Sequence, residues 1–161
     1  GSGAIALSIA SATPLASLLA TDRSVEALAI ARQNAAFLNL TDRVQFLQGS
    51  WYGALVQPDQ FEVIISNPPY IANQDPHLTQ GDLRFEPESA LTDYASGLSC
   101  LEIIIAGADQ YLKAGGLLAL EHGFDQSEAV VRLMKEAGLM DIQVHLDLAG
   151  HCRAASGRKR L

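Results

Sequence analysis

Asn67-Pro68-Pro69-Tyr70 is the stretch of this chain whose residue types are most specific in their chemistry. Two successive prolines fix φ twice and remove two backbone N–H donors, so the main chain there offers only carbonyl acceptors. The Asn67 carboxamide oxygen is a further acceptor. Converging acceptors suit an NH2 group, which has two protons to give. An amide or aryl amine nitrogen is a poor nucleophile, because its lone pair is delocalised. If Asn67 and the Pro68 carbonyl each take one N–H, the lone pair turns toward an electrophilic methyl carbon, which is positioning more than acid–base work. The same acceptors favour positive charge developing on nitrogen. Tyr70 can stack on a planar acceptor, and its face attracts a sulfonium through cation–π interaction. A bland alternative is a rigid strand-to-loop exit. The apolar run Ile64-Ile65 argues against it, because it puts the tetrapeptide at the carboxyl end of a buried strand.

A second constellation opens the chain. Gly1-Ser2-Gly3 leads directly into a helical stretch, and a glycine turn between strand and helix lets a ligand approach the backbone closely. Asp22 ends the next apparent strand, where a carboxylate can accept both hydroxyls of a ribose. Asp22 could equally cap the following helix, and the pair fits a nicotinamide dinucleotide as well as other nucleotide-bearing ligands. Trp51 reads as core or as a ligand-packing ring. Arg84 and Glu86 read as walls of an acceptor pocket or as a surface ion pair. His77, His122 and His151 are scattered without metal-ligand spacing, so no metal is expected. His122 and His151 read as core or supporting residues.

These residues need elements to hold them. Ala4 to Ala12 is helical, and Leu15 to Asp22 reads as a buried strand. Ser24 is a natural N-cap, with Glu26 in the first turn and Leu28, Ala31, Ala35 and Leu38 at helical spacing. Val44 to Leu47 and Phe61 to Ser66 read as strands. Residues 71–96 carry no period, hold Pro76, Gly81 and Pro87, and read as a long functional or mobile loop. Leu101, Ile104, Ile105, Ala108 and Leu112 mark a helix closed by Gly115-Gly116, and Leu117 to Glu121 a strand. Asp125 and Glu128 suggest a capping box for a helix through Ala137, ended by Gly138. Ile142 to Leu146 and Cys152 to Ser156 predict a terminal hairpin. Strands alternating with helices predict an α/β fold: a doubly wound, mostly parallel sheet with an antiparallel C-terminal edge strand, as one domain over 1–161.

The chain has 161 residues and a formal charge of -7. An acidic surface repels phosphate backbones, which argues against nucleic-acid binding. Arg158-Lys159-Arg160 reads as a solvated tail. Cys100 and Cys152 have no CxxC spacing, and two such thiols point to a reducing cytoplasm. The apolar runs are too short to span a bilayer, so no membrane partner is expected.

Taken together, these residues resemble a known family. Asn-Pro-Pro-Tyr behind an apolar strand is the motif of class I amino- and amide-methyltransferases. More narrowly, the chain resembles the HemK-type protein-(glutamine-N5) methyltransferases. The likeness rests on Gly1 to Leu7, Asp22-Arg23-Ser24, Ser66 to Ile71, Asp75 to Leu78, Gly81 to Pro87, Glu121-His122-Gly123 and Asp147 to His151. The tetrapeptide alone is shared with DNA and RNA methylases, which keeps base amino-group methylation open. The stretch from Asp75 to Pro87 is more specific to the HemK type. The resemblance implies a Rossmann-like class I methyltransferase fold. It implies S-adenosylmethionine as donor, S-adenosylhomocysteine as product, and the Gln of a Gly-Gly-Gln tripeptide in a peptide chain release factor as acceptor. It implies that Gly1, Ser2 and Gly3 line the methionine part of the donor, that Asp22 holds the ribose, and that Ser50 and Trp51 lie at the adenine. Asn67, Pro68, Pro69 and Tyr70 would hold the Gln amide, with Asn67 also facing the donor and Arg84 and Glu86 nearby. A cytoplasmic monomer is expected. The family's donor motif begins before Gly1, with a strand ending in an acidic residue, so the first strand is expected to be missing. Ser50 stands where the family often has Asp.

Overall fold

The computed structural model describes residues 1–55, 60–73, 75, 85 and 87–161. They fall into two compact units, Gly1–Gln57 and Pro58–Leu161.

In the first unit, helix α1 covers Ala4–Ala12 and starts from Gly3 in the left-handed conformation (φ 83°). It stops before Thr13-Pro14, where the residue ahead of proline disfavours helix. Strand β1 is Leu18–Asp22. It begins three residues later than the apolar run suggests, because Pro14 and Leu15 form a turn, closed by the Ala16 N–H on the Thr13 carbonyl at 3.1 Å. Ser24 caps helix α2 (Val25–Phe37) by accepting the Ala27 N–H at 3.0 Å. The helix ends in a Schellman turn. Asn39 adopts φ 56°, the Leu40 N–H reaches the Ala35 carbonyl at 2.8 Å, and the Asn39 N–H reaches that of Ala36 at 3.1 Å. Strand β2 (Val44–Gln48) pairs in parallel with β1, Asp22 opposite Gln48. Leu7, Ala10, Ala35, Leu40 and Val44 form the core.

The second unit holds a four-stranded sheet in the order β3-β4-β6-β5. Strand β3 is Phe61–Ser66 and pairs in parallel with β4, Leu112–Glu121. Expected as a buried strand, β3 pairs with β4 alone among the described residues, and its Val63 and Ile65 are exposed. Among the described residues, the short α3 (Glu88–Leu91) and α4 (Ser99–Tyr111) lie between these strands in sequence. The stretch 71–96 is therefore not wholly irregular, since it contains α3 and a bridge between Ile71 and Thr92. The expected closure of the fourth helix at Gly115-Gly116 is corrected. Leu112 is already strand, paired with Phe61, and the two glycines form the irregularity where the β3–β4 register shifts. At Gly116 a side chain would lie 2.8 Å from the Lys113 carbonyl oxygen and 3.1 Å from that of Phe61, so only glycine fits.

Helix α5 is Ser127–Glu136 and packs on β5 (Met140–Leu146) and β6 (Cys152–Arg158). The expected capping box at Asp125 does not form. Gln126 is the N-cap, and its side chain turns away from the helix. Gly138, at φ 80°, ends the helix as expected. β5 and β6 form the predicted antiparallel hairpin. β6 slots between β4 and β5 and runs antiparallel to both, so β5 is the edge. Leu101, Ile104, Ile105 and Ala108 of α4, Leu118 and Leu120 of β4, and Val130 and Met134 of α5 are buried.

Candidate active site

The residues read as a donor site gather at the carboxyl ends of β1 and β2. The Gly1 nitrogen donates to Asp22 Oδ2, and Asp22 Oδ1 accepts the Ser24 N–H at 2.7 Å. Asp22 thus does take part in the helix entry, while its side chain stays partly exposed. The Ser2 carbonyl accepts from Asn34 Nδ2 of α2 at 3.0 Å, tying the glycine turn to that helix. At Gly3 a side chain would lie 3.1 Å from the Ala31 Cβ, so the turn packs on α2 as only glycine allows. No side chain caps α1 and no acidic residue stands in its first turn, which leaves first-turn N–H groups available to an anion. The Gly49 N–H donates to the Asp22 carbonyl at 3.0 Å, which brings Ser50 and Trp51 to the same end. Trp51 opens the 3-10 turn Trp51–Ala54 at φ 50° and is half-buried. A non-glycine residue held in the left-handed region points to a local demand beyond packing.

The residues read as an acceptor site follow β3 in the second unit. Asn67 is exposed, Pro68 is fully buried, and Pro69 and Tyr70 are half-buried. The buried proline anchors the turn, and Asn67 beside it is exposed. The Tyr70 hydroxyl donates to Glu121 Oε1 at 2.9 Å, and its carbonyl accepts from Gln126 Nε2 at 2.8 Å. The next residues are laced to the end of α3 and the segment beyond it. The Ile71 N–H reaches the Leu91 carbonyl at 3.0 Å, and the Asn73 N–H reaches that of Ala95 at 2.9 Å.

Asp93 organises that segment. Its carboxylate accepts N–H groups from Ala95 (2.8 Å), Gly97 (2.9 Å) and Ser99 (3.0 Å), and the Ser99 hydroxyl at 2.6 Å. Burial pushes its carboxyl up. The hydrogen bonds from Ser99, Ala95 and Gly97 together outweigh burial and hold it below the usual carboxylate value. Asp93, Gly97 and Gln126 were not foreseen as site residues. A chain-local signal existed only for Asp93, whose acceptor side chain just ahead of a small-polar stretch suits a turn.

Arg84, Glu86 and His77 lie outside the described residues. Among the described residues, no group of three or more metal-binding side chains forms. His122 is buried and continues the inward face of β4 after Leu118 and Leu120. Its Nδ1 lies 2.8 Å from the Gly123 carbonyl, so that nitrogen carries the proton. His151, expected in a core or supporting role, is excluded from the core one by its exposure. It is exposed at the hairpin turn, 3.7 Å from Asp147 and tilted against the Phe124 ring. Cys100 and Cys152 are both half-buried. No helix among the described residues is long and apolar enough to cross a membrane.

Solved structures of low sequence identity share this architecture. A methyltransferase from Pyrococcus furiosus superposes with a TM-score of 0.71 at 18% identity, covering 100% of this chain and 72% of that one. A ribosomal protein L11 methylase from Lactobacillus delbrueckii subsp. bulgaricus gives 0.67 at 20% identity, covering 100% and 66%. The fold is therefore that of the Rossmann-like class I methyltransferases. Residues 1–83 match the model of the methyltransferase small domain, and the chain belongs to that family. Curated relatives named release factor glutamine methyltransferase are similar along nearly its whole length. That of Burkholderia pseudomallei is 51% identical and that of Bordetella pertussis 50%, each match covering 98% of this chain and 57% of the relative. The chain thus spans little more than half the length of the curated relatives it matches.

Proposed function

We propose that the protein transfers a methyl group from S-adenosylmethionine to the side-chain amide nitrogen of the Gln in the Gly-Gly-Gln motif of peptide chain release factors. The observation that carries this reading is the tetrapeptide at the carboxyl end of β3, with Asn67 exposed, Pro68 buried and Tyr70 held at its hydroxyl and its carbonyl. The names and similarity of the curated relatives support the choice of substrate.

The donor supplies an electrophilic methyl on a sulfonium. The chain's own residues fit its parts. The uncapped α1 N-terminus suits a carboxylate, the accessible Asp22 carboxylate suits ribose hydroxyls, and Ser50 and Trp51 stand at the same strand ends, where a ring and a hydroxyl suit an adenine. Asn67 Oδ1 and the Pro68 carbonyl would take the two amide protons. Holding both N–H groups would fix the amide plane and orient the nitrogen lone pair for attack on a methyl carbon, with no proton removed before transfer. After transfer the methylated nitrogen still carries both amide protons, and one of them goes to solvent to leave the neutral N-methyl amide.

The experiment is methyl transfer by the intact protein from labelled S-adenosylmethionine to a release factor, with the modified residue located by mass spectrometry. Label on the Gln of Gly-Gly-Gln is expected. Label only on other residues or only on nucleic acid, or none at all, would overturn the proposal.

A further inference from the structure

Two polar side chains behind Tyr70 have no role in the chemistry described so far. Glu121 is the last residue of β4, on the face opposite Leu118 and Leu120, and its Oε1 accepts the Tyr70 hydroxyl at 2.9 Å. Gln126 uses its whole amide. Nε2 donates to the Tyr70 carbonyl at 2.8 Å and to the Gly97 carbonyl at 3.2 Å, while Oε1 accepts the Gly123 N–H at 2.8 Å. Only one orientation of the carboxamide satisfies all three partners. Gln126 also stands at the N-cap of α5, where a side chain ordinarily stabilises the first turn, and it makes no capping bond. Gly97 completes the arrangement. It adopts φ 84°, and a side chain there would lie 2.5 Å from the Tyr70 oxygen and 2.7 Å from Gln126 Nε2. Elements distant in sequence thus converge on the two ends of one tyrosine, at the expense of a helix cap.

We propose that Glu121 and Gln126 are positioning residues that act through Tyr70, Glu121 at its hydroxyl and Gln126 at its carbonyl. The inference rests on the proposed function. With the hydroxyl proton committed to Glu121, Tyr70 offers an acceptor amide its ring and not its O–H. With the carbonyl held by Gln126, the backbone that carries Asn67 and Pro68 cannot relax away from the acceptor. Neither residue exchanges a proton with substrate.

The test is steady-state kinetics of the intact protein on a release factor, with thermal unfolding of each variant measured in parallel. Glu121→Ala should lower kcat about three- to tenfold, the size of one hydrogen bond, with KM for S-adenosylmethionine unchanged. Glu121→Gln should recover most of that loss, because a carboxamide oxygen accepts the same O–H. In a Tyr70→Phe background, Glu121→Ala should cost nothing further. Gln126→Glu keeps the acceptor for Gly123 and removes both donors, and should lower kcat by a similar factor. Line shapes of labelled Tyr70 by NMR, which need no turnover, should show one fixed ring environment in the wild type and averaging in Glu121→Ala. The inference fails if Glu121→Ala and Gln126→Glu turn over like the wild type. It also fails if the Glu121→Ala loss persists in full without the Tyr70 hydroxyl, or if the ring spectra of wild type and variant coincide. An intact wild-type protein that leaves the Gln unmethylated would instead remove the functional reading beneath it.

Discussion

Asp93 shows how much of the site rests on single side chains away from the reacting atoms. One carboxylate gathers the N–H groups of Ala95, Gly97 and Ser99, and through them the segment that laces Ile71 and Asn73. An unfolded Asp titrates near about 3.9. Because the folded value lies lower, the stabilisation is complete above the unfolded value and is lost as pH falls through the folded one. Asp93→Asn should therefore unfold at lower urea concentration at neutral pH, and the gap to wild type should narrow on acidification from about pH 5 to about pH 2. A gap that stays constant over that range would show that the charge is not what matters. At this scale the tetrapeptide was legible, because proline chemistry and an Asn acceptor are local properties. Glu121, Gly97 and Gln126 were not, because their partners are set by tertiary contact with Tyr70 and leave no local pattern.

At the scale of elements, helices with local stop and start signals were readable. Ser24 caps α2, and Gly138 ends α5 in a Schellman turn, both through bonds within a few residues. The boundaries that moved were settled by neighbours distant in the chain. Leu112 leaves helical periodicity to pair with Phe61, and Gln126 displaces the expected Asp125 cap because its amide is held by Tyr70 and Gly97. Gly97→Ala probes this junction between the loop before α4 and the loop before α5. It forces a side chain into both the Tyr70 oxygen and Gln126 Nε2 in a left-handed backbone. Stability to urea should fall by about 2 kcal/mol or more. A loss under about 0.5 kcal/mol would mean that the close approach is easily relaxed.

For the whole molecule, ligand binding and turnover are separable. A ligand that binds only the folded protein stabilises it by mass action, about 2.7 kcal/mol at a hundredfold excess over Kd. S-adenosylhomocysteine should therefore raise the unfolding midpoint of the intact protein. Asp22→Ala should weaken its affinity about tenfold by removing the ribose acceptor. An unchanged titration in that variant would confine Asp22 to its bonds with Gly1 and Ser24. Asn67 should matter for turnover far more than for folding, since the residue is exposed. The most direct measurement is single-turnover methylation of the release-factor Gln by intact Asn67→Ala, with donor saturating. The account predicts a rate lower by about a hundredfold or more, with an unfolding midpoint near that of the wild type. A folded Asn67→Ala protein that methylates Gln at the wild-type rate would contradict it.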